Sequence, residues 1–203
     1  ELNKFGGRFK YSKVLNVIDK IDNAISSNIS RVIIRRNLKA LVNQFAQYEL
    51  CYGNRFHINP NGRNIKSTGF TIVGQTDLLY FTDIPNKNIS GSLDGSGKGV
   101  IAITKGDGEQ LVVASAGVVD YVHGEIILNT INITSTEKSN NIVEIQAFPE
   151  SNDILSLKDL YLTFAVDNSQ INMVKDTITS GEQISGVGFN VTSSYSNGVL
   201  TRG

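Results

Sequence analysis

Cysteine is nearly absent: Cys51 stands alone among 203 residues, which excludes an internal disulfide framework and any multi-thiolate metal site. Histidine is almost as scarce, with only His57 and His123. A nucleophile needs a base placed beside it, usually histidine, and two lone histidines lack metal-ligand spacing. Charge of one sign is missing too. Lys+Arg and Asp+Glu both number 19, so no global field draws the chain to nucleic acid or an anionic membrane. No apolar run approaches the ~18 residues needed to span a bilayer. The expectation is therefore no cofactor, no metal, no nucleic acid and no membrane insertion. Three prolines against 19 glycines imply many tight turns and few rigid linkers. A chain of this length buries about 70% of its unfolded surface and can build its own core.

What is present is mainly β. In "YSKVLNVIDKIDNAI", Ser12 reads as an N-cap, and Val14, Val17, Ile18, Ile21 and Ile25 share one face at helical spacing. "RVIIRRNLKALVNQF" could give a helical stripe through Ile34, Leu38, Leu41, Val42 and Phe45. The β-branched cluster Val32–Ile34 favours a strand instead. "QYELCYGNRF" then alternates, with Tyr48, Leu50 and Tyr52 on one side and Cys51 an inert member of the other. Beyond residue 67, "TGFTIVG", "DLLYFTDI", "NIVEIQAF" and "LYLTFAV" are strand-length runs between turn residues. "GVIAITKGDGEQLVVAS" reads as a hairpin over 99–114, turning at 105–109. The predicted fold class is α+β, predominantly antiparallel β, with one main N-terminal amphipathic helix packed on a sheet. Residues 1–60, the helix and first strands, are expected to share a sheet with 142–170. Residues 61–141 form a mainly β region, with a weak boundary in "NPNGRNIK" near 59–66, and 171–203 an extended arm.

Sites for chemistry are hard to find. A P-loop requires G-x-x-x-x-G-K-[ST] between strand and helix. Counting back from Gly97–Lys98 puts Ser92 at the first glycine position and Gly99 at the hydroxyl position, with a β run following. The pairs Asp19/Asp22 and Asp153/Asp159 fit a solvated helix edge and a turn. "AGVVDYVHGEI" sets Asp120, Tyr121 and His123 between Gly117 and Gly124. Asp bonds nearby amides to fix a turn and Tyr packs through a large, partly polar surface, so the stretch reads as a bend. A small hydrolase would need Asp120, His123 and Asp153 to converge. A carbohydrate- or receptor-binding β domain of a phage tail or adhesin would use exposed Tyr and Asn in loops such as "NPNGRN".

Three stretches carry a family resemblance: "FKYSKVLNVIDKIDNAISSNISRVIIRR" (9–36), "AGVVDYVHGEIIL" (116–128) and "IVEIQAFPESNDILSLKDLYLTF" (142–164). In this order they resemble the C-terminal portion of the baseplate wedge protein of T-even-like contractile-tailed bacteriophages, a relative of the J-type baseplate proteins. Its motif positions fall on Asp19, Asp22, Gly117, Asp120, Tyr121, Gly124, Pro149 and Asp153, together with the apolar and small residues between them. The match spans about residues 5–170, and a chain opening on Glu1 is expected to be a fragment. The resemblance implies a non-enzymatic virion component, assembled in the host bacterial cytoplasm. It would pair with itself as a dimer within a larger ring and join other wedge subunits. Its domains would move as rigid bodies from a dome to a star form on tail contraction. For partner contacts the sequence offers Arg31, Arg35 and Lys39, whose forks and ammonium suit carboxylates on a neighbour, and an apolar stretch around Phe189.

Overall fold

The computed structural model describes residues 9–21, 28, 30–106, 110–154, 195–196 and 199–200. The chain divides into two compact units, Glu1–Leu160 and Tyr161–Gly203. As the sequence predicts, the architecture is α+β, mostly antiparallel β with one helix.

Five strands of the first unit close on themselves. They are β4 (Phe70–Ile72), β5 (Leu79–Pro85), β6 (Lys98–Lys105), β7 (Gln110–Asp120) and β8 (Glu125–Thr136). β5 pairs with β4, β4 with β8, β8 with β7 and β7 with β6, and β6 returns to β5 from Leu79↔Lys105 to Pro85↔Gly99. The result is a five-stranded barrel. Closure explains why "VIAIT" reads as a continuous apolar run: Ile101, Ala102, Ile103 and Thr104 are all buried, so β6 has little solvated face. Phe70 and Phe81 stack inside at 4.3 Å between ring centroids, beside Leu79, Ile126, Leu128 and Ile133. Burial of each such side chain contributes about 1.5–3 kcal/mol.

Three strands extend the sheet from β5: β3 (Ile65–Ser67), β9 (Ile142–Ala147) and β1 (Ile34–Lys39), in the order β1-β9-β3-β5. A further strand, β2 (Phe45–Cys51), pairs with β8. The ambiguous 31–45 segment is thus a strand over 34–39 that then turns through Asn43 at φ 60°. A helix there would have buried Leu41 and Phe45, and both are exposed. Tyr48, Leu50 and Tyr52 do share the inward face of β2 and its continuation. The Tyr52 hydroxyl donates to the Ile145 carbonyl at 2.7 Å, pinning β2 to β9, and its ring meets Phe56 edge-on at 5.0 Å. Residues 59–66 lie within the first unit, with Asn64 and Ile65 buried.

The helix α1 spans Tyr11–Asp19. Its half-buried stripe is Tyr11, Val14, Leu15 and Ile18, at i, i+3, i+4 and i+7. Val17 and Ile21, expected on that face, are exposed; Ile25 lies outside the described residues. Ser12 is not the N-cap either. Lys10 holds that position without a side-chain bond, and the acceptor comes from far along the chain: Asp153 Oδ1 takes the Tyr11 amide at 3.0 Å. Of the expected arm over 171–203, the described part is a two-stranded ladder in the second unit, β10 (Tyr195–Ser196) antiparallel to β11 (Val199–Leu200).

Candidate functional site

The bend in "GVVDYVHGEI" is the β7–β8 turn, residues 121–124. Asp120 Oδ1 accepts the Val122 amide at 3.0 Å and the His123 amide at 2.9 Å. Its Oδ2 meets His123 Nδ1 at 3.1 Å. Partial desolvation pushes the Asp120 carboxyl upward, but the His123 amide and imidazole and the Val122 amide outweigh it and hold it below its ordinary value. Two glycines bracket the turn for steric reasons. A Cβ on Gly124 would sit 2.0 Å from the Asn54 carbonyl oxygen, at φ 67°, and one on Gly117 would sit 2.3 Å from that of Ile127. Only glycine permits backbone to approach so closely.

Tyr121 points the other way, into the core, with 1% of its surface exposed. Its hydroxyl donates to Asp83 Oδ2 at 2.7 Å, while Asp83 Oδ1 accepts the Ile65 amide at 2.6 Å. Asp83 is also 1% exposed. Burial raises its carboxyl above the ordinary value, opposed by the Ile65 amide, the Tyr121 hydroxyl and the Asp83 and Asn64 amides. Burial likewise raises the Tyr121 phenol, reinforced by the Asp83 charge and bond. This buried pair ties β5, β3 and the β7–β8 turn together. Sequence reading missed Asp83, although period two was the available signal: in "LYFTDIP" it is in phase with Leu79, Phe81 and Pro85, all buried, while Ile84 faces out.

The remaining sequence-named residues scatter. Pro149 is buried and bridges to Phe56. Asp19, at the end of α1, accepts the Asn28 side-chain amide at 3.3 Å. Asp22, Asp159 and Phe189 lie outside the described residues. The hydrolase constellation does not assemble through direct bonds: Asp120 and His123 pair with each other, and Asp153 with the Tyr11 amide. Arg35 reaches across to Glu144 on β9 at 3.3 Å, whereas Lys39 is exposed. Arg31 lines a separate cleft with His57 and Arg63. Cys51 is free and exposed on β2. Among the described residues no three His, Cys, Asp or Glu side chains gather as a metal site, and no helix is long and apolar enough to cross a membrane.

A second surface feature is apolar. A groove of about 370 Å³ is lined by Phe45, Ile72, Val73, Val113, Ile131 and Asn132, among others. Phe45 is 74% exposed and Val73 57%. The Asn132 Oδ1 atom in its lining is buried and has no hydrogen-bond partner.

The fold and these surfaces define an antiparallel β-barrel protein with added strands, whose most buried polar groups serve the scaffold. No family model, curated protein or solved structure matches the chain.

Proposed function

We propose that this chain is a structural component of a viral tail baseplate wedge. It self-associates into a ring and passes as rigid domains from dome to star form when the tail contracts. The three-part sequence resemblance motivates the reading. Support comes from the work done by the motif residues: Asp120 fixes a turn, Tyr121 braces the core, Gly117 and Gly124 admit close backbone, and Asp153 caps α1. These are duties of a rigid body. The observation that carries self-association is the groove beside Phe45, where apolar side chains stand in water. Such a surface is stabilised by covering it.

The energetics are modest. Moving a two-state assembly from 1:99 to 99:1 takes about 5.5 kcal/mol. Shared among about a dozen coupled copies, that is about half a kcal/mol each, within reach of small changes at rim contacts.

Sedimentation of the 203-residue chain over a wide concentration range tests the reading. We expect a concentration-dependent dimer that Phe45→Asp abolishes without altering the far-UV spectrum. A strictly monomeric species at every concentration refutes self-association through this part of the protein. A specific hit on a glycan array would favour the carbohydrate-binding reading instead.

A further inference from the structure

Ile89 stands farther into solvent than any other large apolar side chain among the described residues, at 109% relative exposure. It lies in the loop joining β5 to β6, at the tip of a turn closed by the Gly91 amide donating to the Asn88 carbonyl at 2.9 Å. Such turns are built by Asn, Ser and Gly, and Asn88, Ser90 and Gly91 supply all three. Fully in water, the isoleucine between them adds nothing to the loop's own packing. Covering it removes apolar surface from water and is favourable.

The loop is held in shape by its own bonds. Asn88 Oδ1 accepts the Ser90 hydroxyl at 2.6 Å and the Ser92 amide at 3.1 Å, and the Asn88 amide donates to the Ser92 carbonyl at 2.8 Å. Lys87 forms an antiparallel bridge to Leu93. Nearer the barrel, Asp94 Oδ1 accepts the Ser96 amide at 2.8 Å and the Ser96 hydroxyl at 2.7 Å. The Asn86 amide donates to the Lys98 carbonyl at 2.9 Å. A loop ordered in advance loses little conformational freedom on binding. Its tip, "NISGS" over 88–92, carries no charge.

The groove beside Phe45 is the matching concavity. Its described lining, which includes Ile72, Val113, Thr130 and Ile131, holds no charged side chain. Its 370 Å³ is many times a water molecule's share of about 30 Å³, room for a turn tip bearing one aliphatic side chain. An uncharged tip entering an uncharged groove buries no unpaired charge, whereas a segment led by lysine or glutamate would. The polar groups flanking Ile89, on Asn88 and Ser90, suit Asn129 and Thr130 of the lining. In the single chain Ile89 is exposed, so it does not occupy its own groove. We propose that the Ile89 loop of one copy enters the Phe45 groove of a second copy, head to tail. The inference rests on the reading that this groove serves self-association, and adds which part of the neighbour fills it. A head-to-tail pair keeps one loop and one groove unoccupied, so copies add until the rotation between neighbours closes a ring.

Sedimentation of the 203-residue chain beside its Ile89→Asp and Phe45→Asp variants tests this. Ile89→Asp should weaken self-association about tenfold or more, with an unchanged far-UV spectrum because the side chain it replaces is wholly exposed. Mixed in equal amounts, the two variants should form a 1:1 species and nothing larger. The Phe45→Asp chain keeps an intact loop and the Ile89→Asp chain an intact groove. In the same mixture, amide signals of Ile72, Val113 and Ile131 in labelled Ile89→Asp chain should shift saturably. An Ile89→Asp chain that associates as the parent does, while Phe45→Asp is monomeric, overturns the loop assignment and leaves the groove reading standing. A parent chain that is monomeric at every concentration overturns both. Two monomeric variants that fail to combine overturn the head-to-tail arrangement.

Discussion

Replacing Tyr121 with phenylalanine removes one oxygen and tests how the barrel tolerates a buried carboxylate. The hydroxyl sits 2.7 Å from Asp83 Oδ2, and both residues are 1% exposed, so water cannot easily replace the lost donor. A hydrogen bond to a charged group contributes about 1.5–3 kcal/mol, and the deserted acceptor adds desolvation cost. We expect Tyr121→Phe to destabilise by about 2–3 kcal/mol at neutral pH. With a urea m-value of about 1–3 kcal/mol/M, the midpoint should fall by about 0.7–3 M. The loss should also depend on pH. Burial raises the folded-state Asp83 carboxyl above its unfolded value of about 3.9. The folded protein therefore binds the extra proton, and Asp83's contribution is most favourable below the unfolded pKa and declines as pH rises through the folded one. Losing the hydroxyl raises the folded value further, so the variant should suffer more at pH 7 than at pH 4. Urea unfolding followed by far-UV circular dichroism at both pH values gives the comparison, and an Asp83→Asn/Tyr121→Phe cycle isolates the pair. A Phe variant within about 0.5 kcal/mol of the parent at pH 7, or a loss that grows on acidification, refutes the reasoning.

Two further outcomes follow from backbone geometry. Gly124→Ala combines a left-handed φ with a Cβ 2.0 Å from the Asn54 oxygen, whereas Gly74→Ala shares the positive φ but meets nothing within 4 Å. The first should cost more than about 3 kcal/mol and the second about 1 kcal/mol; equal costs by urea unfolding would contradict the close approach. Asp153→Ala should lower stability by about 0.5–2 kcal/mol and free the Tyr11 amide, measured as faster hydrogen exchange at that residue. Unchanged exchange would show that the cap does not hold α1.

Local signals served the sequence reading well, and distant ones did not. The strand at Ile34–Lys39 takes only Ile34 from the β-branched cluster Val32–Ile34, and it buries Leu38 while leaving Leu41 and Phe45 outside. The turn at 121–124 was legible because Asp120 bonds amides only two and three residues away. Barrel closure was not legible, since β4 meets β8 at Phe70↔Thr136 across a long stretch of chain. The same reason hid the helix cap, whose acceptor is 142 residues from its donor, and misassigned that role to Ser12. The apolar face was displaced toward Tyr11 and Leu15 because the sequence pattern alone did not fix which side of α1 turns inward. Arg31, Arg35 and Lys39 were grouped by strand period. Folding separates them, since Glu144 takes Arg35 and the 59–64 loop brings Arg63 to Arg31.

Among the described residues, β1 stands at one end of the strand order. It pairs only with β9 among the described residues, and it carries the exposed cations Arg35, Arg36 and Lys39. A second β1 laid antiparallel along it would bring cation against cation, which repels homotypic ladder growth. Homotypic fibre growth through this margin is thereby disfavoured.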